Sequence, residues 1–108
     1  MFSIDETNKI KIIRGDTAIL ILTLNDYSLS QGDQVKLTVK KNIKDSKAAI
    51  TKVVTEFTEG KAIISLEEKD TKNLIAGDYV YEIEVRLANG TIDTIIQATK
   101  FKVLADLG

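Results

Sequence analysis

Apolar and polar residues alternate in short runs along most of the chain, and glycines punctuate the runs. Val35-Lys36-Leu37-Thr38-Val39-Lys40 alternates at period two, the mark of a strand with one face buried. Tyr79, Tyr81, Ile83, Val85 and Leu87 take every second position, with Val80, Glu82, Glu84 and Arg86 between them. That predicts a strand whose odd positions point inward. Asn89-Gly90 follows at once and predicts a hairpin with a type I′ turn, in which both central residues have positive φ. The return strand is expected over residues 91–103. Ile92 and Ile96 share one parity and Phe101 and Val103 the other, so a β-bulge is expected near residues 97–99.

Residues 50–57 also fit one face of a helix, through Ile50, Val53, Val54 and Phe57. Ile50, Thr51, Val53, Val54 and Thr55 are all β-branched, which favours a strand. Glu59-Gly60 then predicts a hairpin to a strand over residues 61–66. Residues 18–24 form a near-continuous apolar strand, expected to be covered on both faces, and residues 9–13 a shorter strand before it. Residues 67–74 are polar and charged without strand alternation, and read as one helical turn crossing between sheets. Gly15-Asp16, Gly32-Asp33 and Gly77-Asp78 each stand just before a strand. There glycine supplies unusual backbone angles and Asp can bond nearby amides.

The sum is an all-β chain: an immunoglobulin-like β-sandwich of about seven antiparallel strands with one short helical turn near residues 67–74. Residues 8–104 are read as one domain, residues 1–7 as an N-terminal arm and residues 105–108 as a tail. In this topology the third and penultimate strands are neighbours, which sets Lys36 and Lys40 near Glu82 and Glu84. Tyr79, at the entry to the penultimate strand, is placed to make the corner hydrogen bond of such sandwiches.

Composition narrows the chemistry. The 108 residues are 44% hydrophobic and 29% charged, enough for one modest core. There is no Cys, His, Trp or Pro. Without Cys there is no disulfide framework, no thiolate nucleophile and no Cys-based zinc site. Without His, the commonest general base and transition-metal ligand are missing. Net charge is −1, from 15 basic and 16 acidic residues, which argues against a nucleic-acid or anionic-membrane footprint. Aromatics make up 6%, too few for a base- or sugar-stacking platform. The opening MFSIDET lacks the basic start and apolar run of a signal peptide. The longest apolar stretch, residues 18–22, is far too short to span a bilayer. The chain is expected to stay in the cytosol unless it leaves as part of something larger.

The remaining constellations have plain structural readings. Glu82 and Glu84 share a strand face, as paired carboxylates of a glycosidase would, but beside Arg86 and with no sign of a cleft. Glu67, Glu68 and Asp70 lack calcium-loop spacing and suit the acidic start of a helical turn. Asp26, Asp33 and Asp45 are ordinary loop residues. Arg14-Gly15-Asp16 spells an integrin-recognition tripeptide, yet its glycine is needed to turn the chain. Asn89-Gly90-Thr91 spells a glycosylation acceptor that the hairpin already explains. Phosphate-binding glycine loops are absent. No catalytic, cofactor-binding or metal-binding residue is assigned, and no enzyme activity is expected.

Several runs resemble the N-terminal domain of phage baseplate upper proteins. They are Ile13-Arg14-Gly15-Asp16-Thr17, the strand Val35 to Lys41, and Gly60-Lys61-Ala62-Ile63-Ile64-Ser65-Leu66 with Asp70-Thr71-Lys72-Asn73-Leu74. Ala76-Gly77-Asp78-Tyr79-Val80-Tyr81-Glu82-Ile83-Glu84-Val85 and Lys100-Phe101-Lys102-Val103-Leu104 complete them. The resemblance spans residues 9–104. It implies an immunoglobulin-like, non-catalytic module in the tail or baseplate of a phage or prophage of Gram-positive bacteria. Such a module docks to other virion subunits and is assembled in the bacterial host cytoplasm. Its partners would be other tail and baseplate proteins, with self-association as a further option, and neither nucleic acid nor membrane. Phe2 and Ile4 of the arm, and Ile19 and Ile21 of the apolar strand, are the candidate interface. The alternative is a carbohydrate- or cell-surface-binding adhesion module of immunoglobulin- or fibronectin-like type, for which Tyr27 is the one aromatic in an expected loop. Proline commonly blunts sheet edges, so its absence points to Lys-rich strands or a covered edge instead.

Overall fold

The computed structural model describes residues 2–24 and 29–107, with residues 2 and 3 described through their backbone alone. The elements are β1 (Phe2–Ile4), β2 (Ile10–Ile13), β3 (Ala18–Thr23), β4 (Gln34–Lys40), β5 (Ile50–Val54), β6 (Lys61–Leu66), α1 (Glu68–Lys72), β7 (Gly77–Arg86) and β8 (Ile92–Leu104). They build two sheets. One runs β1-β2-β8-β7-β4-β5, and the other is the pair β3-β6. This is an all-β, immunoglobulin-like sandwich, in which β4 and β7 are neighbours and β2 joins the larger sheet alongside β8.

The alternating strands bury one side each. From β4 come Val35, Leu37 and Val39, and from β7 come Tyr79, Tyr81, Ile83 and Val85. Phe101 and Val103 of β8, with Ile10 and Ile12 of β2, complete that layer. Leu20, Ala62, Ile64 and Leu66 face them from the smaller sheet, and all belong to one cluster. Truncating one of the buried leucines or isoleucines to Ala costs about 2–5 kcal/mol.

Five expectations need correction. The described strands number eight rather than about seven, because Phe2–Ile4 is not an arm but pairs antiparallel with β2, Phe2 opposite Ile12. The strands are not all antiparallel: β2 and β8 run parallel, with Ile10 opposite Phe101 and Ile13 opposite Leu104. Strand β3 is covered on one face only, since Ala18 and Leu20 are buried while Ile19 and Ile21 are exposed. Glu59-Gly60 makes the expected tight turn, with φ of 53° and 76°, and Thr58 and Lys61 exchange backbone hydrogen bonds across it. Beyond that bridge, however, β5 pairs with β4 and β6 with β3, so the segment is a crossover between sheets and not a hairpin. The Asn89-Gly90 hairpin exists, but only Gly90 has positive φ, at 95°. The Gly90 N–H bonds the Leu87 carbonyl, and the Leu87 N–H bonds that of Thr91. A three-residue loop with a left-handed glycine replaces the type I′ turn.

The bulge in β8 is present. Tyr81 pairs with Thr99 and Ile83 with Ile96, which inserts an extra β8 residue in the region of Gln97 and Ala98. A second shift follows, because Glu84 pairs with Thr94. Ile96 therefore stays half-buried against the core while Ile92, opposite Arg86, is exposed.

Candidate functional site

The outer face of the two-stranded sheet carries an isoleucine stripe. In β3, Ile19 is 63% and Ile21 61% exposed, and in β6, Ile63 is 42% exposed. Ile21 and Ile63 are direct cross-strand partners, with Thr23 opposite Lys61 on one side and Ile19 opposite Ser65 on the other. The stripe is contiguous because β6 buries Ala62, Ile64 and Leu66, which forces Ile63 outward. Among the described residues no further strand pairs with either edge of this sheet. Apolar side chains that meet across a solvent face cost about 25 cal/mol per Å² while they stay wet, so the stripe favours a partner that covers it.

The structure divides the residues expected at an interface. Ile19 and Ile21 lie together on this stripe. Ile4, 42% exposed, lies on β1 in the other sheet, and Phe2 is placed there by its backbone pairing with Ile12. Ile63 was not expected. Its signal was available in the alternation of residues 61–66, whose inward parity is set by Ala62, Ile64 and Leu66.

Other singled-out residues hold the fold. The Tyr79 hydroxyl donates to the Ile75 carbonyl at 2.7 Å, the expected corner bond, and the Lys41 ammonium sits 4.6 Å from its ring centroid. The Tyr81 hydroxyl donates to the Asn8 carbonyl, and its ring meets Phe101 edge-on, 5.9 Å between centroids. Burial, with the nearby Asp5 charge, pushes the Tyr81 phenol up to about 12. Arg14 bonds Asp106 at 2.8 and 3.1 Å and reaches the Leu74 carbonyl. The Gly15 N–H donates to the hydroxyl of buried Thr71 at 2.8 Å. The Arg14-Gly15-Asp16 tripeptide is thus tied to the body of the domain. That Arg14 bond holds the Asp106 carboxyl below its ordinary range.

The acidic groups also have structural employment. Asp70 accepts the Glu67 N–H at 2.7 Å and the Lys52 ammonium at 2.8 Å, which caps α1 and ties it to β5. Glu84 bonds Arg86 at 2.8 Å. Lys36 lies opposite Glu84 in register, and Lys40 lies opposite Val80. Glu82 borders a shallow open hollow with Thr38, Lys40 and Ala98. Asp45 accepts the Asn42 N–H in a turn. Among the described residues no group of three or more carboxylates is placed to hold a metal ion. Asp26 and Tyr27 lie outside the described residues. No described helix is long and apolar enough to cross a membrane.

No family model matches the chain, and no curated protein matches it. Among solved structures, the extracellular domains of the voltage-gated sodium channel beta4 subunit are similar to it. They are described as parallel homodimers that explain that protein's role in cell-cell adhesion. The similarity covers 97% of this chain and 97% of that chain, at 18% identity and a TM-score of 0.45.

Proposed function

We infer that this chain is a non-catalytic interaction module, and that it docks to other subunits of a phage or prophage tail baseplate, within the virion. The observation that carries the docking reading is the isoleucine stripe Ile19, Ile21 and Ile63 on a two-stranded sheet. A solvent-facing strand pair with aliphatic residues on both of its faces has more apolar surface than one core uses. The sequence resemblance to baseplate upper proteins supplies the setting, a tail particle assembled in the bacterial cytoplasm. The absence of His and Cys and the structural engagement of Asp70, Glu84 and Arg14 fit a module without catalysis.

The carbohydrate-binding alternative turned on Tyr27, which lies outside the described residues. The described aromatic side chains, Phe57, Tyr79, Tyr81 and Phe101, are buried or half-buried and offer no sugar platform.

The test is to purify tail particles from the bacterium that encodes the chain and to measure its content by quantitative mass spectrometry. A fixed copy number per particle is expected. Replacing Ile19, Ile21 and Ile63 by Ser should yield folded protein that no longer enters particles. Particles complete without the chain would overturn the tail assignment. Incorporation of the triple variant at the original level would overturn the stripe as the docking face.

A further inference from the structure

We propose that the outer face of the β2–β8 pair is a second docking site, one that receives a short acidic segment of a protein partner. Lys11 and Lys102 are direct register partners in the parallel ladder. Lys9 and Lys100 stand one residue before the paired Ile10 and Phe101, so they occupy the neighbouring level. All four line one open hollow together with Asp5 and Ile10. Lys9, Lys11 and Lys100 are exposed and Lys102 is half-buried.

Like charges directly opposite one another destabilise a sheet, and Lys11 and Lys102 are such a pair, with Lys9 and Lys100 beside them on the same hollow. The nearby acids, Asp5 beside Lys9 and Asp78 opposite Lys102, offset only part of this charge. Asp5 accepts the Thr7 and Lys9 backbone amides and the Thr7 hydroxyl. Asp78 lies beyond Lys102, its opposite neighbour on β7. Four ammonium groups against these two carboxylates leave a local positive excess on a chain whose net charge is −1.

The geometry selects the occupant. Residues two apart on a strand are separated by about 6.6 Å, and neighbouring strands by about 4.8 Å. The four lysines thus form a small grid. An extended peptide with Asp or Glu at every second position presents carboxylates at the same repeat. Nucleic acid fits less well, because no described aromatic side chain is exposed for base stacking and the overall charge is slightly negative. The site lies on the larger sheet, away from the isoleucine stripe, and does not depend on the phage setting.

The experiment is a titration of isotopically labelled protein, followed by NMR, with a synthetic peptide of alternating glutamate and glycine. A short single-stranded DNA of equal charge is the second probe. The peptide should shift the amide and ammonium signals of Lys9, Lys11, Lys100 and Lys102 with millimolar affinity. The double variant Lys11→Glu, Lys102→Glu should weaken binding by about tenfold or more, as should moderate salt. The double variant Lys44→Glu, Lys47→Glu, distant in sequence and of the same charge change, should leave binding intact. Shifts scattered over all surface lysines, no response to the peptide, or tighter binding of the DNA would each overturn the proposal.

Discussion

Asp33 and Ala88 are joined by a 2.9 Å hydrogen bond, in which the Ala88 backbone N–H donates to one carboxylate oxygen. The other oxygen accepts the Ser30 N–H at 2.9 Å. One carboxylate therefore clamps the turn before β4 to the loop between β7 and β8, and it is buried there. The Ser30 amide first, and the Ala88 amide second, hold its pKa below the usual 3.8. A depressed carboxylate contributes stability above its unfolded pKa and loses it as pH falls through the folded value. Urea unfolding as a function of pH should show stability declining below about pH 4 in the parent. Asp33→Asn should lower stability at neutral pH and flatten that decline.

Tyr79→Phe removes the corner hydrogen bond to Ile75 without changing the ring. The expected loss is about 0.5–1.5 kcal/mol in equilibrium unfolding. An unchanged midpoint would mean that the bond does nothing for the fold.

The Tyr81 phenol should ionise above the ordinary tyrosine range. Burial, with the Asp5 charge second, pushes this phenol up to about 12 from the ordinary 10.0. A phenol whose folded pKa is raised contributes stability that is full below pH 10 and declines as pH rises toward 12. Ultraviolet titration of the folded protein should show a tyrosine step near 12 that is missing from Tyr81→Phe.

Lys11→Glu exchanges a like-charged cross-strand pair for an opposite one facing Lys102. The variant should be more stable by about 0.2–1 kcal/mol in low salt, with the gain shrinking as salt is added. A less stable variant would show that the lysines are not in conflict.

Strand β3 gives a test of sidedness within one element. Leu20 is 6% exposed and Ile21 61%. Leu20→Ala should cost about 2–5 kcal/mol, whereas Ile21→Ser should change stability by about 0.5 kcal/mol or less.

Strand β7 was legible because its two parities differ chemically: apolar residues mark the core and Glu82, Glu84 and Arg86 mark solvent. Strand β3 misled for the opposite reason. Both of its parities are aliphatic, so alternation carries no sign of which face is wet. The turn at Glu59-Gly60 was legible from local backbone preference. Its neighbours' choice of sheet was not, because β5 turns back onto β4, the strand just before it, while β6 pairs with β3, far earlier in the chain. Asn89-Gly90 signalled a reversal, but including Ala88 in the loop changed the turn type. The lysine grid was hidden altogether: Lys11 and Lys102 meet only through the parallel pairing of the second strand with the last.

That parallel pairing also sets how the domain responds to force. Chain enters β2 at Ile10 and leaves β8 after Leu104, at opposite ends of the shared ladder. Tension applied through these two points slides the strands past each other along their length. The ladder bonds then bear the load together, whereas a hairpin pulled from its open end would unzip one bond at a time. Arg14 and Asp106, bonded just beyond the same ladder, add a side-chain latch at its end. Pulled between Ile10 and Leu104, the sandwich therefore resists by shear rather than by unzipping.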